Sequence, residues 1–131
     1  MIFVDTSAWY SMVVETDDHH VAVNTFLANN RIDLLTTDYI VDETLTLLRA
    51  RSRNSRAIKL GKAFFQHQIA IVHKLTEDDL AEAWNAFQSY GDKNWSYTDC
   101  TSKVIIEKLA ITTALSVDHH FHQFGSVTVV P

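Results

Sequence analysis

The chain has little of what staples, breaks or anchors a fold. It carries one cysteine, Cys100, so neither an intrachain disulfide nor a cysteine-rich zinc site can form. One proline and three glycines exclude collagen-like and low-complexity sequence. No stretch approaches the ~20 apolar residues of a membrane span. The start, Met1-Ile2-Phe3-Val4-Asp5, has no basic leader and meets a carboxylate at once, unlike a signal peptide. With the unpaired thiol, this makes a cytoplasmic location the expectation. There is no Gly-rich phosphate loop and no serine or cysteine set beside a general base, which leaves out nucleoside-triphosphate chemistry and covalent hydrolysis. Cys100 opens an apolar helix and is expected to be buried. Bases are the minority, 11 against 16 acids, for a net charge of −5. That total argues against a nucleic-acid partner.

What is present is an ordinary globular interior, with 47% of the 131 residues hydrophobic. A chain of this length buries roughly two-thirds of its unfolded surface and forms one domain, residues 1–131. Short apolar runs alternate with helical patterns. Ile2–Val4, Leu34–Thr37, Ile69–Val72, Thr113–Val117 and Val127–Val130 read as strands. Helices are expected from Thr6 to Val14 and from an Asp17 or Asp18 cap to about Asn29, with Val21, Phe26 and Leu27 inward. Another follows an Asp38 cap, with Ile40, Val41, Leu45, Leu47 and Leu48 on one side. Further helices are expected from about Ser55 to Gln68, from the capping box Thr76-Glu77-Asp78-Asp79, and from Ser96-Tyr97-Thr98-Asp99. The alternation predicts an α/β fold, a five-stranded parallel sheet flanked by helices on both faces.

In such sheets ligands bind beyond the carboxyl ends of the strands. Asp5 directly follows the first strand and Asp118 the fourth. Asp99 sits in the first turn of the helix that leads into the fourth strand, and Glu43 lies one turn into the helix after the second. Each has a plain structural reading: Asp5 and Asp99 as helix caps, Asp118 as a turn former, Glu43 as a solvated residue. Together they bring four carboxylates from four segments to one edge. Crowded carboxylates repel unless a cation neutralises them, and Mg²⁺ or Mn²⁺ suits oxygen ligands. The chemistry that fits is metal-assisted hydrolysis of a phosphate ester. Helical periodicity favours Glu43 over its neighbour Asp42 as the residue flanking the buried side.

These segments resemble the PIN-domain ribonucleases: Phe3-Val4-Asp5-Thr6-Ser7-Ala8, Asp42-Glu43, Ser96-Tyr97-Thr98-Asp99-Cys100, and Ala114 to Phe121 with Phe124-Gly125 after it. The resemblance covers nearly the whole chain, and its order and length suit the VapC-type toxins of toxin–antitoxin pairs. It implies a PIN-like domain, one or two Mg²⁺ or Mn²⁺ ions, endonucleolytic cleavage of RNA, a homodimer, and a cognate antitoxin that blocks the site. Residue by residue, Asp5, Glu43, Asp99 and Asp118 match the family's metal-binding acids. Thr6, Ser7, Ser96 and Thr98 match hydroxyls that support those acids or the attacking water. Two alternatives share the pattern: a PIN-fold RNA-processing nuclease that is not a toxin, and a catalytically inactive RNA- or protein-binding module.

The distribution of charge is more informative than its total. Residues 44–76 hold no acid and seven bases, Arg49, Arg51, Arg53, Arg56, Lys59, Lys62 and Lys74, whereas residues 1–43 carry −7 and residues 77–131 carry −5. A basic stripe on two adjacent helices is the footprint of phosphate-backbone binding, with Arg49 to Lys62 as the candidate RNA contacts; a solvated face or the dock of an acidic protein is the plain reading. The seven histidines lack the spacing of a metalloprotease helix and are expected to leave the metal to the acids; contact of His120 or His122 with RNA is a minor alternative. His67 and His73 are expected at the surface or at a strand end. Trp9, Trp84 and Trp95 are expected in the core or an interface, and Trp9, Tyr10 and Met12 on a dimer or antitoxin surface.

Overall fold

The structure, a computed structural model, describes residues 1–131. Five strands, β1 (Ile2–Val4), β2 (Leu34–Thr37), β3 (Ile71–His73), β4 (Thr113–Leu115) and β5 (Thr128–Val130), make one sheet. Every neighbouring pair is parallel and the spatial order is β3-β2-β1-β4-β5. Six helices connect them: α1 (Thr6–Val13), α2 (His20–Asn29), α3 (Asp38–Ala50), α4 (Asn54–Phe65), α5 (Glu77–Ser89) and α6 (Tyr97–Lys108). Short 3-10 helices span Gly91–Lys93 and His119–Phe124. This is the expected α/β architecture.

Successive strand residues face opposite sides of a sheet, yet Ile2, Phe3 and Val4 are all buried. Both faces of β1 are therefore covered, which a parallel sheet requires. From β1 the chain builds outward to β2 and β3, then crosses to the other side for β4 and β5. The reversal falls between β1 and β4, and the carboxyl ends of that pair are where such folds place a ligand.

Several local expectations shift. Thr37, not Asp38, caps α3: it keeps extended strand geometry and its hydroxyl accepts from the Ile40 N–H (3.1 Å). The Asp38 carboxylate instead accepts from the backbone of Tyr39 and Leu75, tying α3 to the chain leaving β3. Neither Asp17 nor Asp18 caps α2, which starts at His20; Asp17 accepts from Ser11 Oγ (2.7 Å) and the His19 N–H. α4 ends at Phe65, and β3 starts at Ile71, where pairing with Leu35 begins. β5 starts at Thr128. β4 stops at Leu115 because the next two free N–H groups turn to side chains, Val117 to Ser7 Oγ and Asp118 to Ser116 Oγ. Asp118 therefore lies three residues past the strand. Val21 points outward, 75% exposed, and Trp84 is 53% exposed, so neither is core. Trp9 is fully buried, its indole N–H on Thr36 Oγ1 and its ring edge-on to Phe64, which removes it from any docking surface.

Candidate metal centre

β1 delivers Asp5 to the sheet edge, where its N–H still pairs with the Leu115 carbonyl (3.1 Å). It caps α1 and is buried. One carboxylate oxygen, Oδ2, accepts from the Ser7 hydroxyl (2.8 Å), the Ser7 N–H (3.3 Å) and the Ser116 hydroxyl (3.2 Å). Burial pushes the carboxyl up to about 7; the Ser7 bonds oppose this, and the neighbouring Asp99 and Asp118 charges add to it.

The next residue, Thr6, reaches α3 and donates to Glu43 Oε1 (2.5 Å). Glu43 is half-buried while Asp42 is exposed, as the periodicity anticipates. Burial raises the Glu43 carboxyl above its usual range against the Thr6 bond, and Asp99 and Asp118 again repel it. The third acid starts α6. Ser96 and Asp99 form a reciprocal capping box, with the Asp99 N–H on Ser96 Oγ and the Ser96 N–H on Asp99 Oδ2, both at 3.0 Å. Asp118 caps the 3-10 helix after β4, its Oδ1 accepting from the His120 N–H (3.0 Å).

The plain capping readings of Asp5, Asp99 and Asp118 thus hold, and so does the convergence. Capping consumes only one oxygen of each carboxylate. Oδ1 of Asp5, Oε2 of Glu43, Oδ1 of Asp99 and Oδ2 of Asp118 accept no hydrogen bond from the protein. Asp99 and Asp118 each repel both Asp5 and Glu43, and every one of the four carboxylates has one oxygen fixed and one open, donor chemistry that suits a divalent cation.

Packing holds the two C-terminal acids together. Phe121 is fully buried against Phe3, and Phe124 packs edge-on against Trp95 (5.1 Å between centroids). The Trp95 indole donates to Gln123 Oε1 (2.9 Å). These contacts clamp the Asp118 turn to the segment that opens α6. Gly125 then reverses the chain into β5 at φ +80°, a left-handed conformation that suits glycine.

Of the four hydroxyls anticipated from the sequence, Thr6, Ser7 and Ser96 hold Glu43, Asp5 and Asp99 respectively. Thr98 is engaged only through its carbonyl, by Thr101 (2.6 Å). Sequence reasoning missed Ser116, which bridges Asp5 and the Asp118 backbone. It also gave His120 no place among the acids. The His120 ring nitrogen Nδ1 lies 3.1 Å from Asp99 Oδ2 and 3.6 Å from Asp118 Oδ1. The signal available was spacing, since Ser116 and His120 each stand two residues from Asp118.

The basic stripe divides in two. Arg56 is committed to Glu15 and the Val13 carbonyl, Arg53 to Thr16, Arg49 to Asn54, and Arg51 lies over the Tyr10 ring. These arginines tie the α3–α4 turn mainly to the chain around the end of α1. Lys59 and Lys62, on α4, are exposed and form no ion pair. Cys100 is buried, and burial raises its thiol, as expected of an inert residue.

Comparison with known proteins bears on the family and the fold. The sequence profile of the PIN domain matches residues 2–126. The 23S rRNA-specific endonuclease VapC20 of Mycobacterium tuberculosis is 28% identical over 131 residues, which span all of this chain and 99% of that protein. The crystal structure of the same toxin, described as cleaving the sarcin–ricin loop, superposes with a TM-score of 0.92 at 27% identity over the whole of both chains. FitAcB from Neisseria gonorrhoeae shares the fold at a TM-score of 0.70 and 14% identity, covering all of this chain and 97% of that one.

Proposed function

From the premise that this chain belongs to the PIN domain family, we propose that it is a metal-dependent RNA endonuclease and the toxin of a toxin–antitoxin pair. The observation that carries the reading is the convergence of Asp5, Glu43, Asp99 and Asp118, each with one oxygen fixed and one free. These four acids would hold one or two Mg²⁺ or Mn²⁺ ions. When bound, the metal would supply Lewis-acid stabilisation of the scissile phosphate and of the leaving oxygen.

The protein's own part is preorganisation. Ser7 and Ser116 fix the buried Asp5, Thr6 fixes Glu43, and the Ser96 capping box fixes Asp99, so no acid has to be ordered when substrate arrives. Lys59 and Lys62, with Arg49 and Arg51 beside them, would take the RNA backbone; Arg53 and Arg56 serve the fold first. The similarity to VapC20 makes a ribosomal RNA loop the first substrate class to test. A proteinaceous antitoxin and a second copy of the chain are the partners we propose. We take residues 1–131 as one PIN-like nuclease domain. No helix is long and apolar enough to cross a membrane, and the cytoplasm, where ribosomal RNA lies, is the proposed location.

The test is cleavage of purified ribosomal RNA, with 5′ ends mapped by primer extension. Wild type with Mg²⁺ or Mn²⁺ should give discrete new ends, and chelator or Asp99→Asn should abolish them while the circular dichroism spectrum stays native. Undiminished cleavage by Asp99→Asn would refute the assignment. Growth arrest on expression, relieved by a co-expressed neighbouring small protein, separates a toxin from a processing nuclease.

A further inference from the structure

We propose that the aromatic row Tyr39, Tyr97, Phe87 and Trp84, with Lys74 at its inner end, is a subsite that stacks unpaired RNA bases beside the four acids; this rests on the RNA-endonuclease reading above. The row starts at the candidate centre. Tyr39 and Glu43 stand four residues apart on α3, one turn apart on the same face. Tyr97 opens α6 two residues before Asp99. The two rings lie 6.3 Å apart between centroids, and Phe87 of α5 meets Tyr97 edge-on at 6.1 Å. The Tyr97 hydroxyl donates to the Leu80 carbonyl (2.8 Å), which fixes this part of the row to α5.

The outer half of the row is open. Trp84 and Phe87 are 53% and 39% exposed, and their rings lie nearly parallel, 16° apart with 5.8 Å between centroids. Large rings left together in water mark a binding face. Flat aromatic faces that lead into a cluster of acids suit nucleobases, since every base has a π-face and stacking tolerates any of them. Bases in a duplex are already stacked on each other, so the row selects unpaired ones.

A cation stands at the inner end. β3 ends at His73, which pairs with Thr37, so Lys74 follows at the carboxyl edge of the sheet. The N–H groups of Tyr39 and Leu75 bond the same oxygen of Asp38, each at 3.1 Å, which sets Lys74 close to Tyr39. Lys74 is exposed and forms no ion pair. Rings for a base and an ammonium for a phosphate are the two halves of a nucleotide site. The acids of α5 leave the row clear: Asp79 is buried on Lys108, Glu82 faces the same lysine (3.6 Å), and Glu77 and Asp78 lie in the first turn, well before Trp84. A second copy docked on Trp84 and Phe87 would leave the inner rings and the free cation beside the acids without a role.

The experiment measures binding of two labelled probes, a short single-stranded RNA and its fully abasic counterpart, by fluorescence anisotropy. It uses the whole protein carrying Asp99→Asn, in which no cleavage is expected, and adds Trp84→Ala, Trp84→Ala with Phe87→Ala, Lys74→Ala, or Val21→Ala as an exposed control on α2. The double aromatic variant should bind intact RNA about 10–100-fold more weakly and the abasic probe as the parent does. Trp84→Ala alone, the more exposed of the two positions, should show part of the same selective loss. Lys74→Ala should weaken both probes and lower the salt slope by about 1, and Val21→Ala should change neither. Equal affinity of the parent and the double variant for intact RNA, or an equal loss on both probes, would overturn the inference. So would sedimentation showing that the aromatic substitutions break up an assembly of the parent, since the face would then belong to a second copy. In each of these cases ribosomal RNA cleavage by the wild type leaves the endonuclease reading standing. No binding of either probe by the parent, with no cleavage by the wild type, would overturn both.

Discussion

Asp5→Asn should make the metal-free protein more stable at pH 8. Asp5 is buried and shares its surroundings with two other carboxylates. Unfolded, it releases its proton near 3.8; folded, it holds it to about 7. Between those values the unfolded state binds fewer protons, so stability falls as pH rises and levels off above 7. A displacement from 3.8 to about 7 corresponds to about 4 kcal/mol once Asp5 is ionised. Asparagine removes the charge, keeps an oxygen for Ser7 and Ser116, and still caps α1. Allowing for imperfect amide geometry, we expect a gain of about 2–4 kcal/mol at pH 8, or about 8–16 °C in Tm for a chain of this size. The gain should shrink below ~2 kcal/mol at pH 5, where folded Asp5 is protonated and carries little of the penalty. Urea and thermal unfolding in chelator, at pH 5 and pH 8, read both numbers. Added Mn²⁺ should raise the wild-type Tm at pH 8 and leave Asp5→Asn nearly unmoved. Equal or lower stability of Asp5→Asn at pH 8 would show that burial and the neighbouring acids do not penalise an ionised Asp5 as described.

Further expectations follow from other groups. Asp79 is buried at the start of α5 and accepts from Lys108 (2.5 Å), His73 (3.0 Å) and the Thr76 N–H. Burial alone would raise its carboxyl, but these bonds win and hold it well below the usual range. Asp79→Ala should therefore cost about 1–3 kcal/mol in denaturant unfolding, since Lys108 stays partly solvated, and wild type should lose the Asp79 contribution as pH falls below the ordinary carboxylate range; a near-neutral variant would contradict the pairing. Replacing Lys59 and Lys62 by alanine should weaken RNA binding and lower the slope of log affinity against log salt by about 2, with cleavage at saturating RNA unchanged. An unaltered salt slope would remove α4 from the RNA path.

Much of the site was legible because its acids also obey local rules. Asp99 announces itself through the Ser96 capping box, and Asp5 by ending a run of three buried apolar residues. Glu43 is separated from Asp42 by helical periodicity alone. What escaped depends on tertiary contacts. Asp118 reads as adjacent to β4, yet the strand stops three residues earlier because Ser7, 110 residues from Val117 in sequence, takes its N–H. Asp38 reads as a cap, yet Thr37 keeps strand geometry and takes the role. Trp84 reads as core by its spacing, but it stacks outward on Phe87. The arginines read as one stripe, while their division follows from the position of Glu15, Thr16 and Tyr10 in space.

The double duty of the aspartates has a genetic consequence. Asp5, Asp99 and Asp118 each start a helical segment with the same carboxylate that would hold metal. Asparagine serves a helix start about as well as aspartate. One base separates an aspartate codon from an asparagine codon, so under the proposed role of these acids a single transition at any of three places would remove the activity and keep the helix starts. Wherever the proposed activity is a cost to its host, three one-step exits are open, and copies that keep the fold and its surfaces without the charge are the expected form of decay.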